Sequence, residues 1–175
     1  MFSNIRADIK RYNEKNEFTP RIFFNLLFTQ GLWAITVYRF GSWCSRLKLP
    51  IVSLFLKLIY FFLFKIVEIT TGISISSNAQ IGQGLYIGHF GGIFINEGAK
   101  IGENCTIAQG VTIGTLGLGK MGAPIIGDCV FIGSGAKVLG NIIIGNNVKI
   151  GANAVVIRNV PDNATAVGVP AKIVK

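Results

Sequence analysis

The stretch IIGDCVFIGSGAKVLGNIIIGNNVKIGANAVV, residues 125–156, places an aliphatic side chain at every sixth position: Ile126, Ile132, Val138, Ile144, Ile150 and Val156. Glycine follows directly at 127, 133, 145 and 151. A period of six fits neither an α-helix nor a simple alternating strand. It is the period of a coil of short flat strands joined by tight turns, in which each inward residue stacks on its equivalent in the next coil, about 4.8 Å away. One such coil buries little, so stability is a sum over neighbours.

Towards the amino terminus the same step recurs at Ile95, Ile101, Ile107 and Ile113 and, two residues out of phase, at Ile75, Ile81, Ile87 and Ile93. The ladder is broken between Ile113 and Ile126 by TLGLGKMGAP, residues 115–124. That glycine-rich segment cannot hold the repeat and is expected to project as a loop over substrate. Its GLGKMG lacks the glycine, lysine and hydroxyl order of a phosphate-cradling loop, so nucleotide hydrolysis is not supported.

Residues 1–72 differ in texture: they hold ten Lys or Arg against four acids and ten of the thirteen phenylalanines, while the remainder holds seven against four. In RIFFNLLF and KLIYFFLFK the charges are set among large apolar runs, unlike a nucleic-acid-binding stripe, so no nucleic-acid partner is expected. Apolar runs over 21–41 and 50–71 predict a helical hairpin, with Pro50 opening the second helix. At about 100° per residue, Ser53, Lys57, Lys65 and Glu68 share one face of that helix. Three charges argue against a spanning helix. Two readings stay open for it: a trimer-contact helix, or a monotopic helix lying on an anionic leaflet, the membrane contact falling within residues 20–72.

Residues 1–20 lack the pattern of a secretory signal peptide. Cys44, Cys105 and Cys129 are odd in number and far apart, which reads as reduced thiols. The expected location is therefore the cytoplasm, at the inner face of the cell membrane. With no CxxC and a single histidine, no protein-built metal site is expected.

The repeat, together with VPDNATAVGVPAKIV at 160–174, resembles the hexapeptide-repeat acyltransferases. The resemblance implies a mainly β fold, a left-handed parallel β-helix over residues 73–175 behind a helical segment over 1–72, assembled as a homotrimer. The left hand runs against the usual crossover preference and comes from the resemblance alone. More narrowly, HFGGIFINEGAKIGENCTIAQGVTIG, residues 89–114, and the stretch from Gly119 to Val156 resemble the serine acetyltransferase branch, including the bacterial polysaccharide O-acetyltransferases grouped with it.

By itself, a lone histidine between a glycine and a phenylalanine reads as a structural side chain. The resemblance gives His89 a role: the family's catalytic histidine lies in a His-x-x-Gly stretch, and an imidazole suits removal of a hydroxyl proton during acyl transfer. A coil of eighteen residues plus the slip stacks Gln109 beside His89, to position a substrate oxygen. Glu97, just beyond the slip, is a candidate to orient the imidazole or contact the acceptor. The resemblance also implies acetyl-CoA as co-substrate, lying along Gly114, Thr115, Ser134 and Ala152, with Lys149 and Lys172 meeting its phosphates.

Three positions depart from the family pattern: Gly88 stands where an aspartate helps hold serine, Ala123 where a second histidine lies, and Ser74 where an aspartate pairs with the imidazole. A site for the serine ammonium group should supply carboxylates. The expected acceptor is accordingly a saccharide hydroxyl in surface-polysaccharide synthesis, with serine O-acetylation and a non-enzymatic scaffold as the alternatives.

Overall fold

A computed structural model describes residues 2–13, 28–47, 50–117 and 122–174. Three helices among them, α1 (Phe2–Tyr12), α2 (Gln30–Cys44) and α3 (Pro50–Thr71), precede fifteen short strands. The first coil is β1 (Ile73–Ile75), β2 (Gln80–Ile81) and β3 (Tyr86–Ile87), and the second β4 (Ile93–Ile95), β5 (Lys100–Ile101) and β6 (Thr106–Ile107). Next come β7 (Thr112–Gly114), β8 (Ile125–Ile126) and β9 (Phe131–Ile132), then β10 (Lys137–Leu139), β11 (Ile143–Ile144) and β12 (Lys149–Ile150). The last coil holds β13 (Val155–Val156) and β14 (Thr165–Gly168), against which β15 (Ala171–Ile173) folds back antiparallel.

Equivalent strands of successive coils stack into three parallel sheets, β1-β4-β7-β10-β13, β2-β5-β8-β11 and β3-β6-β9-β12-β14. The periodic residues pair in register: Ile75, Ile95, Ile113, Val138 and Val156 along one sheet, Ile87, Ile107, Ile132 and Ile150 along another. All are buried and fill the prism from end to end. Each such isoleucine contributes about 1.5–3 kcal/mol relative to exposure. The expected mainly β architecture, a left-handed parallel β-helix behind a helical segment, is the one observed.

The register also explains the phase slip. Ile93 pairs with Ile73 and Ile95 with Ile75, both buried, with Phe94 outward between them. Strand alternation is intact, so the two extra residues lie in the turn 88–92 that carries His89. Later, the step from Ile101 to Ile126 absorbs the interruption. Its described ends lie back over the following turn, Leu116 beside Gly140 and Gly122 beside Asn141. The expectation that the loop covers substrate falls largely on residues 118–121, outside the described residues.

The first coil has no coil before it, and an open solenoid end leaves backbone N–H and C=O groups to be satisfied. Side chains of α1 and α2 take that place. The Tyr38 hydroxyl donates to the Ala79 carbonyl at 2.8 Å and accepts from Ile81 N–H at 3.2 Å. Tyr12 does the same on Ile87, donating to its carbonyl at 3.0 Å and accepting from its N–H at 2.9 Å. Burial raises both phenols above their usual range, keeping them protonated as donors. Asp8 accepts from Leu85 N–H at 2.9 Å, and Arg39 donates to the carbonyls of Ile81 and Gly82 at 2.6 Å each.

Two glycines set the helix packing. At Gly31 any side chain would overlap Ile87, so α2 lies against β3; at Gly41 it would overlap the Tyr60 ring, which seats α3 on α2. The expected second helix has the bounds observed. The first runs on to Cys44, and residues 21–27 of its expected span lie outside the described residues. The amphipathic α1 was not anticipated, because its polar composition hides one inward carboxylate, Asp8. Ser53 is buried, leaving only Lys57, Lys65 and Glu68 of the polar face at the surface.

Candidate active site

His89, Gln109, Ser134 and Ala152 each follow by two the inward residues Ile87, Ile107, Ile132 and Ile150, which pair with one another. Gln109, Ser134 and Ala152 form one column at the corner between the β3 and β1 sheets. Gly91 takes that place in the first coil, since the two extra residues of the slip precede it, and His89 lies in the enlarged turn. Backbone bonds hold the column: Gly110 N–H donates to Gly91, Gly135 N–H to Gln109 and Asn153 N–H to Ser134, each at 2.8 Å. His89, Gln109 and Ala152 are exposed and Ser134 half-buried. The His89 side chain makes no hydrogen bond to any described residue.

The turn that carries His89 is fixed from below. Gly91 and Gly92 take φ of 102° and 66°, which disfavour any side chain. Gly72 at the end of α3 abuts their backbone, and Ile93 N–H donates to its carbonyl at 3.1 Å. Gly88, exposed beside the Tyr86 ring, brings no functional group of its own to the acceptor side.

Two residues beyond β1 sheet positions, a second column stands at the next corner. Glu97 and Thr115 follow the paired Ile95 and Ile113 by two and are exposed, with Gly114 buried beside them. Strand β4 separates Glu97 from the His89 turn, so one chain does not give the imidazole Glu97 as its partner. Lys149, opposite Thr165 on β14, and Lys172, opposite Val167, lie exposed on the β3 sheet at its far end. The expected residues thus fall into the His89 turn with the corner column beneath it, a second corner column and a basic end. Ala123 is buried, so the backbone there turns its side chain into the core.

Sequence reasoning missed the bond between Glu68 and Ser74. Ser74 donates its hydroxyl to Glu68 Oε1 at 2.7 Å, and Lys65 holds Oε2 at 2.6 Å. Those bonds, Lys65 first, hold the carboxyl below its usual range. A carboxylate is therefore present at Ser74 after all, supplied from the last turns of α3. The only signal for it is an acid near the end of an otherwise apolar run. Elsewhere, a cleft lined by Lys10, Arg11, Tyr86 and Phe131 opens between α1 and the β3 sheet, away from His89. Among the described residues no three His, Cys, Asp or Glu side chains are grouped as a metal site.

Residues 123–158 match the family described as bacterial transferase hexapeptide (six repeats). The serine acetyltransferase of Synechococcus elongatus is 37% identical over 99% of this chain and 69% of its own length. The crystal structure of Neisseria gonorrhoeae serine acetyltransferase in complex with serine superposes with a TM-score of 0.81 at 36% identity, covering 99% of this chain and 69% of that one. A serine acetyltransferase in complex with CoA gives 0.81 at 34%, covering 98% and 68%. The chain spans 62% to 69% of the length of such curated relatives.

These likenesses overturn the expectation of a saccharide acceptor in polysaccharide synthesis. They run through the helices as well as the repeat, and the proteins concerned are serine acetyltransferases. The saccharide reading rested on carboxylates missing at Gly88 and Ser74, and Glu68 at Ser74 shows that another element can supply one. By its helical cap, its register of coils and its identity across nearly its whole length, the chain belongs to the serine acetyltransferase family of hexapeptide-repeat transferases.

Proposed function

We propose that this chain is an acetyl-CoA-dependent serine O-acetyltransferase in which His89 is the general base. The carrying observation is the position of His89: it is exposed in the enlarged turn of the first coil, whose Gly91 stacks on a column of small and polar residues, on a scaffold shared with a serine complex and a CoA complex of relatives. Residues 73–175 form the transferase unit in this reading, and residues 1–72 its cap.

His89 takes the proton from the serine hydroxyl as that oxygen attacks the thioester carbonyl of acetyl-CoA. The tetrahedral intermediate collapses with cleavage of the C–S bond, and the imidazolium returns the proton to the departing sulfur. The products are O-acetylserine and CoA. Gln109, one coil on from the turn that carries His89, positions an oxygen of the reactants. Glu68, bonded to Ser74 on β1, is a carboxylate that α3 brings to the first coil. Ser134 and Ala152, being small, leave a path for the pantetheine arm towards Lys149 and Lys172, which meet the phosphates.

The second column, Glu97, Gly114 and Thr115, belongs to the site through assembly. A closed homotrimer sets one corner of each prism against a different corner of its neighbour, so Glu97 of one protomer reaches the serine ammonium held at His89 of the next. Thiol release from acetyl-CoA, followed with serine and with a panel of saccharides, tests the proposal. Serine-dependent release supports it, and release with a saccharide but not with serine contradicts it.

A further inference from the structure

Helix α3 is apolar over far more of its surface than its packing uses. The side facing α2 holds Ser53, Val67 and Thr71, all buried, with Leu56, Tyr60 and Phe64 half-buried. Ile51, Val52, Leu54, Phe55, Phe62 and Ile66 are among the exposed residues, Ile51 at 84% and Leu54 at 72%. At 100° per residue the exposed apolar arc spans roughly 200°, centred opposite α2 and interrupted by Lys65 and by Thr70, whose hydroxyl donates to the Ile66 carbonyl. A neighbouring helix covers a stripe of roughly 100°, so a helix apolar over twice that width suits a continuous apolar medium better than one packed partner.

Charge selects which medium. The two acids among the described residues of the helical part are both engaged, Asp8 with Arg39 and Glu68 with Lys65 and Ser74. Arg6, Lys10, Arg46 and Lys57 are exposed. The described helical part as a whole, with Lys57 on α3 itself, thus carries exposed cations without matching acids, which is complementary to an anionic lipid surface. Among the described residues no helix is long and apolar enough to cross a membrane.

We infer that α3 lies in the headgroup region of an anionic bilayer, seating the enzyme on the membrane surface. This is independent of the acceptor identity, since no residue of either corner column takes part. The test is flotation of the full chain with phosphatidylcholine vesicles with and without phosphatidylglycerol, at low and high salt. The native chain should float with the anionic vesicles, at least tenfold less with the neutral ones, and less as salt rises. A Phe55→Glu/Phe62→Glu/Ile66→Glu variant should lose flotation at least tenfold while keeping the native molecular mass by light scattering. Phe62→Leu should float like the native chain, and Lys57→Glu should weaken flotation without disturbing the apolar arc. Absence of flotation by the native chain would overturn the inference. So would a triple variant that floats unchanged, or one whose oligomer dissociates, which would make α3 a contact between copies.

Discussion

Arg39 Nε lies 2.9 Å from Asp8 Oδ2, and the two side chains, only 4% and 0% exposed, close the amino-terminal end of the solenoid. The pair is more than an ion bridge, because the same guanidinium donates to Ile81 and Gly82 and the same carboxylate accepts from Leu85. Removing one partner strands the other, together with the backbone groups it serves. Asp8→Ala or Arg39→Ala should each cost about 3–5 kcal/mol. Chemical denaturation checks this, and the double variant should cost less than the two single losses added together.

Helix docking on the prism depends on absent side chains. Gly41→Leu must displace the Tyr60 ring, and Gly31→Leu must push α2 off Ile87. We expect losses of about 1–3 kcal/mol for each, read as a lower melting temperature. Because Ile87 lies two residues before His89, Gly31→Leu should also lower the acetyl-transfer rate.

Glu68 gives the molecule an acid-side sensitivity. Its folded carboxyl titrates below the unfolded value because Lys65 and Ser74 bond the charged form. The sign follows: its contribution is fully present above the unfolded carboxylate range and is lost as pH falls through the lower, folded value. Glu68→Gln should therefore be less stable than the native chain near neutrality, with the gap narrowing in acid. Melting curves at several pH values measure it.

The thiols should react unequally. Burial pushes the Cys105 thiol up to about 11 and also raises Cys44, while Cys129 is exposed on a turn. A thiol reagent at neutral pH should label Cys129 quickly and the other two only on unfolding, as mass spectrometry can read.

The repeat of six was legible because each coil restates the same steric instruction: Ile87, Ile107, Ile132 and Ile150 needed only counting to be stacked. The same arithmetic set Gln109 beside His89, whereas the backbone ladder sets it beside Gly91, because counting could not say on which side of the turn the slip falls. What counting could not reach was the cap. Asp8, Tyr12, Tyr38 and Arg39 serve backbone groups between 41 and 77 residues away, through contacts with no period. The same limitation hid Glu68. Its bond to Ser74 spans the junction between two textures, and reading Ser74 as a lost carboxylate led to the wrong acceptor.

The most direct test of the central claim is the steady-state rate of CoA release with acetyl-CoA and serine, for the native chain and for His89→Ala. The account predicts a serine-dependent native rate and a fall of about 10²–10⁴ in the variant. His89 is exposed and bonded to no described residue, so the variant should keep its melting temperature and oligomeric state. A His89→Ala protein that releases CoA at the native rate would contradict the account.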